Sequence, residues 1–313
     1  MTTAARGARV CVVLKRTSWR RWVDEEQDER THELLAAGDE VVGRMRASHA
    51  DHMQTIAELQ VALAELDAAA TWHERPHEFH APPEADLVVV VGGDGTLLAA
   101  SHGVGPNVPL LGVNSAPGYS VGFFCGASKG NVGQALAAAL AGSLRATELS
   151  RMSVTLNGRP LHDRVLNETL FCHACPAATS RYILRVLDGA AVRAEEDQKS
   201  SGIWVGPAAG STAAQRSAGG QVLPLTSSEL QYVVREPYRP HDEVLNMTIG
   251  RVAANQSLAI KSRMHKAALF LDGEHIVHHV AIGDVVTLQR SAEALRVLGL
   301  SRNGGTGHDH GVA

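Results

Sequence analysis

The five residues Gly92-Gly93-Asp94-Gly95-Thr96 restrict what this chain can fold into more than any other stretch. They follow Asp86 to Val91, a leucine and valine run that reads as a buried strand, and they precede Leu97 to His102, which reads as the start of a helix. Adjacent glycines let a backbone leave a strand and enter a helix at once, and the first amides of that helix have no internal acceptor. Pro109 to Val113 reads as the next strand. Strand, turn, helix, strand is the order of a parallel doubly wound sheet. Upstream, Val10 to Leu14 reads as another buried strand, Asp24 to Ala70 carries the spacing of a helix or helix pair, and Thr71 to Ala85, with three prolines, reads as a loop.

The pattern changes near Leu149. Short alternating segments recur at Arg151 to Leu156, Arg164 to Phe171, Tyr182 to Leu187, Leu230 to Arg235, Ser257 to Lys261, Ala268 to Leu271 and Val285 to Arg290, with Asn157-Gly158 and Asp272-Gly273 as turn signals. The expectation is an α/β domain over 1–148, an all-β sandwich over 149–290, and a C-terminal segment with a flexible Gly- and His-rich tail over 291–313.

Composition removes several functions. At 313 residues, 44% apolar and 20% charged, the chain can bury cores in about two domains. With 29 Lys and Arg against 33 acidic residues, and only 5 Phe, 4 Trp and 4 Tyr, it lacks the basic field and stacking platforms of a nucleic-acid binder. No apolar run approaches a membrane span or a signal peptide. Its 4 cysteines suit free thiols, so the expected location is cytoplasmic, with no membrane partner.

A phosphate fits the glycine turn, because the helix start offers free amides and a positive dipole end. Asp94 is out of place in such a cradle unless it accepts a proton, binds a metal or holds a hydroxyl, which are tasks of phosphoryl transfer. Alternatively the pentad is only a strand-to-helix turn with Asp94 as a cap. A second loop of small residues, Gly206 to Ala213 followed by Ser217-Ala218-Gly219-Gly220, suits another polyanion at a short helix start. Two such loops in two domains suggest a nucleotide held in the cleft between them.

The pentad, the pair Asn167-Glu168 after Leu166, and Gly210-Ser211-Thr212-Ala213 with Ser217 to Gly220 together resemble the NAD kinases, in that order and at similar spacing. The resemblance covers most of the chain from Asp86 to Gly220 and extends more weakly through Leu271-Asp272-Gly273. The pentad alone is shared with lipid kinases. The resemblance implies a Rossmann-like N-terminal domain, a β-sandwich C-terminal domain, a homodimer or homotetramer, and transfer of the γ-phosphoryl of ATP, with Mg²⁺, to the adenosine-ribose 2′-hydroxyl of NAD⁺ or NADH. It implies Asp94 as the base, with Gly92, Gly93, Gly95 and Thr96 holding phosphates. Phe123 and Phe124 would contact adenine, and Asn167 and Glu168 the adenosine moiety. Ala209, Gly210, Ser211, Thr212 and Ala213 would line the dinucleotide site.

Two positions depart from the family. Ser201 stands where most members have an Asp near the nicotinamide, and Ala214 where they usually have Tyr. Loss of that carboxylate removes an attraction for the oxidised, positively charged ring, so NADH is expected to serve as well as NAD⁺ or better, in line with the NADH kinase branch. If the position is solvated, the exchange is worth only ~1 kcal/mol. Lys15 and Arg16, just past the first strand, are placed to reach ATP phosphates from the carboxyl edge of the sheet, or else belong to a solvated loop. His73-Glu74-Arg75-Pro76-His77 matches a zinc-protease string, but Pro76 opposes the helix that string needs. Cys172-His173-Ala174-Cys175 has no second pair at zinc spacing, and no metal-ligand residues are expected. A lipid kinase and a non-catalytic dinucleotide sensor remain alternatives.

Overall fold

The computed structural model describes residues 7–239 and 244–300. The expected tail after Arg302 lies outside the described residues. In chain order the elements are β1 (Arg9–Leu14), α1 (Glu29–Ala37), α2 (Glu40–Glu65), β2 (Ala69–His73), β3 (Leu87–Gly92), α3 (Asp94–Ser101), β4 (Leu110–Asn114), β5 (Ala127–Ser128), α4 (Val132–Leu140) and β6 (Ala146–Leu149). There follow β7 (Met152–Leu156), β8 (Arg159–Val165), β9 (Thr169–His173), β10 (Ser180–Asp188), β11 (Ala191–Ser200), β12 (Ile203–Pro207), α5 (Ala214–Ser217) and β13 (Leu230–Val234). The last are β14 (Ile249–Val252), β15 (Gln256–Ser262), β16 (Ala267–Leu271), β17 (Ile276–Val280), β18 (Val285–Arg290) and β19 (Leu295–Leu298). Contacts divide the chain into one unit that runs to Thr147 and resumes at Arg296, and a second unit, Glu148–Leu295.

The first unit is built on a sheet in the order β2-β1-β3-β4-β19-β6, with β5 beside β4. Neighbours β2-β1, β1-β3 and β3-β4 are parallel. Every residue of β3 and β4 is buried, as continuous apolar strands covered on both faces must be. Leu59, Ala62 and Leu63 of α2 pack on Val10, Val12 and Val89 of the sheet. The expected helical stretch from 24 to 70 is three pieces. A short π-helical turn, Arg20–Glu25, comes first, and α1 ends at Gly38, whose φ of 70° closes it in the left-handed region. Asp39 then caps α2 by accepting from the Val41 amide at 2.9 Å. Residues 69 to 73, read as helix end and loop, are instead the strand β2. Its exposed side chains carry no apolar period, and pairing with β1 is what orders it. Part of the expected C-terminal segment also folds back as β19, too short to show a pattern of its own.

The second unit has two antiparallel sheets, β11-β10-β15-β18-β7-β8 and β14-β13-β12-β9-β16-β17. Their inner faces share one core, in which Met152, Tyr182 and Leu258 from the first sheet meet Phe171, Ile203 and Leu269 from the second. Each such burial contributes roughly 1.5–3 kcal/mol. Asn157 and Gly158 both have positive φ, 51° and 76°, and make the tight turn between β7 and β8. One expected strand, Arg164 to Phe171, is two: β8 ends at Val165 in one sheet and β9 begins at Thr169 in the other. The chain changes sheets at Leu166-Asn167-Glu168, where it is needed for the site.

Candidate active site

In the first unit the pentad closes β3 and opens α3. A side chain on Gly92 would meet the Thr96 hydroxyl at 2.5 Å, and one on Gly93 the Ser120 hydroxyl at 2.4 Å. Gly92 is thus packed against the body of Thr96, while at Gly93 the obstacle is a hydroxyl that can rotate away. Gly95 is different, since a Cβ there would meet nothing within 4 Å. The absence of a side chain leaves open room over the first turn of α3, where Gly93 provides no side-chain cap for the amides.

Asp94 does not cap that helix. Its carboxylate accepts from the Phe123 and Phe124 amides, both at 2.9 Å, one on each oxygen. The side chain thus brackets the loop after β4 to the pentad, and each oxygen keeps a lone pair. Asn114 supports the same loop, donating from Nδ2 to the Ser120 carbonyl at 2.9 Å. Phe124 is a core residue, and its ring meets that of Phe123 edge to face at 5.0 Å. The Cys125 thiol, half-buried next to Asp94, is pushed up to about 12 by desolvation and then by the aspartate's charge, so it stays protonated.

Lys15 continues from β1 and donates its amide to the Val91 carbonyl at 2.9 Å, one residue from Gly92. Burial lowers its pKa, and no carboxylate among the described residues pairs with it. Near it His52 is buried on α2, with Nδ1 2.9 Å from the Ser115 hydroxyl. Burial, then the charge of Lys15, lowers His52 to about 4, so the ring is neutral.

In the second unit the crossing at 166 to 168 is held by a residue far along the chain. One oxygen of Asp272 accepts from the Leu166 amide at 2.7 Å, and the other from the Asn167 and Glu168 amides at 2.7 and 3.0 Å. The Asp272 amide donates back to the Glu168 carbonyl at 2.9 Å. The second small-residue loop packs directly on this crossing. A Cβ on Gly210 would lie 1.7 Å from the Asn167 carbonyl oxygen, so only glycine fits.

The loop does open a short helix, but with little more than a single turn to present amides to a polyanion. Ala208–Thr212 is a 3-10 turn and α5 has only 4 residues. Ser211, expected to touch ligand, is fully buried; its hydroxyl donates to the Ala208 carbonyl at 2.6 Å and accepts from the Leu223 amide at 2.9 Å. It holds the loop rather than facing outward. Ala209 and Gly210 are buried too, while Thr212 and Ala213 are half-buried. Asn167, Glu168 and the 209–213 loop therefore come together. Ser201 does not join them: it lies beyond the other end of β12, six residues or roughly 20 Å of strand from Pro207.

Glu168 carries the strongest electrostatic signal here. Its Oε2 is buried and has no hydrogen-bond partner among the described residues. Burial, then the charge of Asp272, raises its pKa from an ordinary 4.5 to about 7. Below 4.5 the carboxyl is neutral folded or unfolded, and between 4.5 and 7 only the unfolded chain ionises, so stability falls as pH rises through that window. The loss by pH 8 is on the order of 3 kcal/mol. Glu168→Gln is expected to match the parent in urea unfolding at pH 4.5 and to exceed it at pH 8; equal stability at both would show that the carboxyl ionises freely.

The sequence's zinc-protease string ends β2 and enters a 3-10 turn, Pro76–Glu78, with Glu74 paired to Arg20 at 2.7 Å. No group of three or more His, Cys, Asp or Glu suited to a metal forms among the described residues. No helix among them is long and apolar enough to cross a membrane.

A family model for the ATP-NAD kinase N-terminal domain matches residues 6–144. A rice (Oryza sativa subsp. japonica) protein named probable NADH kinase is 39% identical over 231 residues, covering 69% of this chain and 71% of that one. The chain belongs to the NAD kinase family. An NADH kinase of Arabidopsis thaliana is 35% identical over 235 residues, 70% of this chain and 74% of its own. The solved structure of an NAD kinase from Archaeoglobus fulgidus in complex with ATP aligns over 94% of both chains with a TM-score of 0.64 at 21% identity, and so shares the fold. In this NAD kinase family member the sequence reading missed Asn114 and His52 and gave Asp272 no role of its own. Only Asp272-Gly273 carried a local signal, and that signal was for a turn.

Proposed function

We propose that this chain is an NAD(H) kinase, transferring the γ-phosphoryl of ATP to the adenosine-ribose 2′-hydroxyl of NAD⁺ or NADH. The observation that carries the reading is Asp94, a carboxylate fixed at the edge of an open glycine turn with acceptor capacity left over. The hydroxyl oxygen bonds to the γ-phosphorus, the bond from that phosphorus to the β,γ-bridging oxygen breaks, ADP leaves, and the hydroxyl proton passes to Asp94. The Gly93 and Gly95 amides hold phosphate oxygens, with Gly92 setting the turn; the Thr96 amide donates to the Gly93 carbonyl at 3.1 Å, so Thr96 contributes through its hydroxyl. Phe123 flanks the same loop, with Phe124 supporting it. In the second unit Asn167 and Glu168 hold the adenosine. A half-protonated Glu168 near neutrality offers an O–H to a ring nitrogen, which an ionised carboxylate does not. Thr212 and Ala213 line that site, supported by Ala209, Gly210 and Ser211.

A Mg²⁺ ion would be held on the protein side by the free carboxylate lone pairs of Asp94 and would supply charge neutralisation during phosphoryl transfer. A homodimer or homotetramer in the cytoplasm belongs to the same reading, and the 4 unpaired thiols are consistent with that compartment.

NADH is proposed to serve as acceptor as well as NAD⁺ or better. Of the two plant relatives one is named NADH kinase and the other probable NADH kinase, and Ser201 offers no carboxylate to an oxidised ring. The test is purified protein with ATP and Mg²⁺, comparing NAD⁺ with NADH and following NADP⁺ or NADPH. NADPH formed at least as efficiently as NADP⁺ is the expected result, and Ser201→Asp is expected to move the ratio toward NAD⁺. A kcat/KM strongly favouring NAD⁺ in the parent refutes the preference. No product from either, with the dinucleotide bound, makes the protein a sensor.

A further inference from the structure

A cavity of about 270 Å³ lies in the first unit between α2 and the edge strand β2, at the carboxyl ends of β1 and β2. We propose that it seats the nucleoside of the phosphoryl donor, with Lys15 leading the phosphates out of it. This rests on the kinase reading and deepens it by placing the donor.

The cavity has the chemistry of a base pocket. Trp72, Met53, Ile56 and Leu14 supply apolar wall, and Gln60 adds an amide able to donate and accept at a base edge. Trp72 is 39% exposed, so its ring keeps accessible surface for stacking, although it belongs to an ordered strand. The volume, just under the usual range for whole ligands, suits a base with its sugar and not a complete triphosphate. The phosphates must therefore emerge.

Their exit is marked by charge. Two cationic side chains line the cavity, but Arg20 is already engaged by Glu74 at 2.7 Å and Glu25 at 3.0 Å. Lys15 has no such partner among the described residues, and burial disfavours its ammonium until an anion arrives. His52 is neutral and does not compete for that anion. Lys15 follows β1, whose last residue Leu14 is in register with Val91, immediately before the pentad. Adjacent strands lie about 4.8 Å apart, so a phosphate chain leaving the cavity over Lys15 meets the glycine turn directly.

The test is a titration with the non-hydrolysable analogue AMP-PNP, with tripolyphosphate as the base-free probe. Both are run with saturating NAD⁺, so that the dinucleotide's own adenosine site is closed. AMP-PNP is expected to quench tryptophan fluorescence in the parent. Trp72→Ala is expected to weaken AMP-PNP by about tenfold, the worth of one stacked base, and Trp72→Phe to restore most of it. Tripolyphosphate binding should be unchanged in Trp72→Ala and weakened in Lys15→Met. In turnover, Trp72→Ala should raise KM for ATP without raising KM for the dinucleotide.

AMP-PNP binding to Trp72→Ala with parental affinity overturns the proposal, as does failure of AMP-PNP to bind the parent while NAD⁺ saturates its site. The titration needs no catalysis. A chain that binds AMP-PNP through Trp72 but forms no NADP(H) refutes the kinase reading and leaves the nucleotide pocket standing.

Discussion

Asp94→Asn is expected to lower kcat by roughly 10²–10⁴-fold, the range over which loss of a general base acts. Asparagine has the shape of aspartate and neither its charge nor its proton affinity. The structure adds a second consequence. Both carboxylate oxygens receive an amide, from Phe123 and from Phe124. Asparagine can accept only one of them and turns its NH₂ toward the other, so the loop after β4 loosens as well. A lost hydrogen bond of this kind costs about 1–3 kcal/mol, and KM for the dinucleotide should rise by about tenfold or less. Steady-state kinetics separates the two effects, because the chemical role acts on kcat and the bracket acts on KM and on melting temperature. A kcat within about tenfold of the parent would leave Asp94 as a structural bracket, a role different from the helix cap that the sequence left open.

How much of this was legible beforehand follows from how local each signal is. Buried strands β1, β3 and β4 announce themselves because parallel strands covered on both faces must be continuously apolar. The Asn157-Gly158 turn is legible for the same kind of reason, since two positive φ angles select those residues. The ladder β11 is not, because Ala191–Ser200 is largely charged and stands at a sheet edge, where pairing with β10 supplies what sequence pattern does not. Nor can local composition show that one alternating segment, Arg164 to Phe171, divides between two sheets. The pentad's place in the chain was readable and Asp94's partners were not: a carboxylate that caps its own helix and one that accepts amides 29 and 30 residues away have the same sequence. Ser211 shows the converse error. A hydroxyl in a small-residue loop reads as a ligand contact, and here burial turns it to its own backbone.

Asp272 gives the second large effect. Asp272→Ala is expected to destabilise the protein by on the order of 3–5 kcal/mol, since three amides lose a charged acceptor at once and two belong to buried residues. For a unit of this size that corresponds to a fall of roughly 10 °C in melting temperature. Asp272→Asn should lie between the two, because one amide oxygen replaces two carboxylate oxygens. The partner in question is 106 residues from Leu166 in sequence, so the bond also fixes where β16 ends relative to the crossing between β8 and β9. Removing it frees the backbone that presents Asn167 and Glu168, and KM for the dinucleotide should rise more than kcat falls. It also removes one of the two causes that hold the Glu168 carboxyl up near 7, so Glu168 should ionise at lower pH in Asp272→Asn. A carboxylate infrared band for Glu168, assigned by its loss in Glu168→Gln, reports that shift directly. If melting temperature, KM and the band all stay where they are in the parent, the turn holds itself and Asp272 is not its anchor.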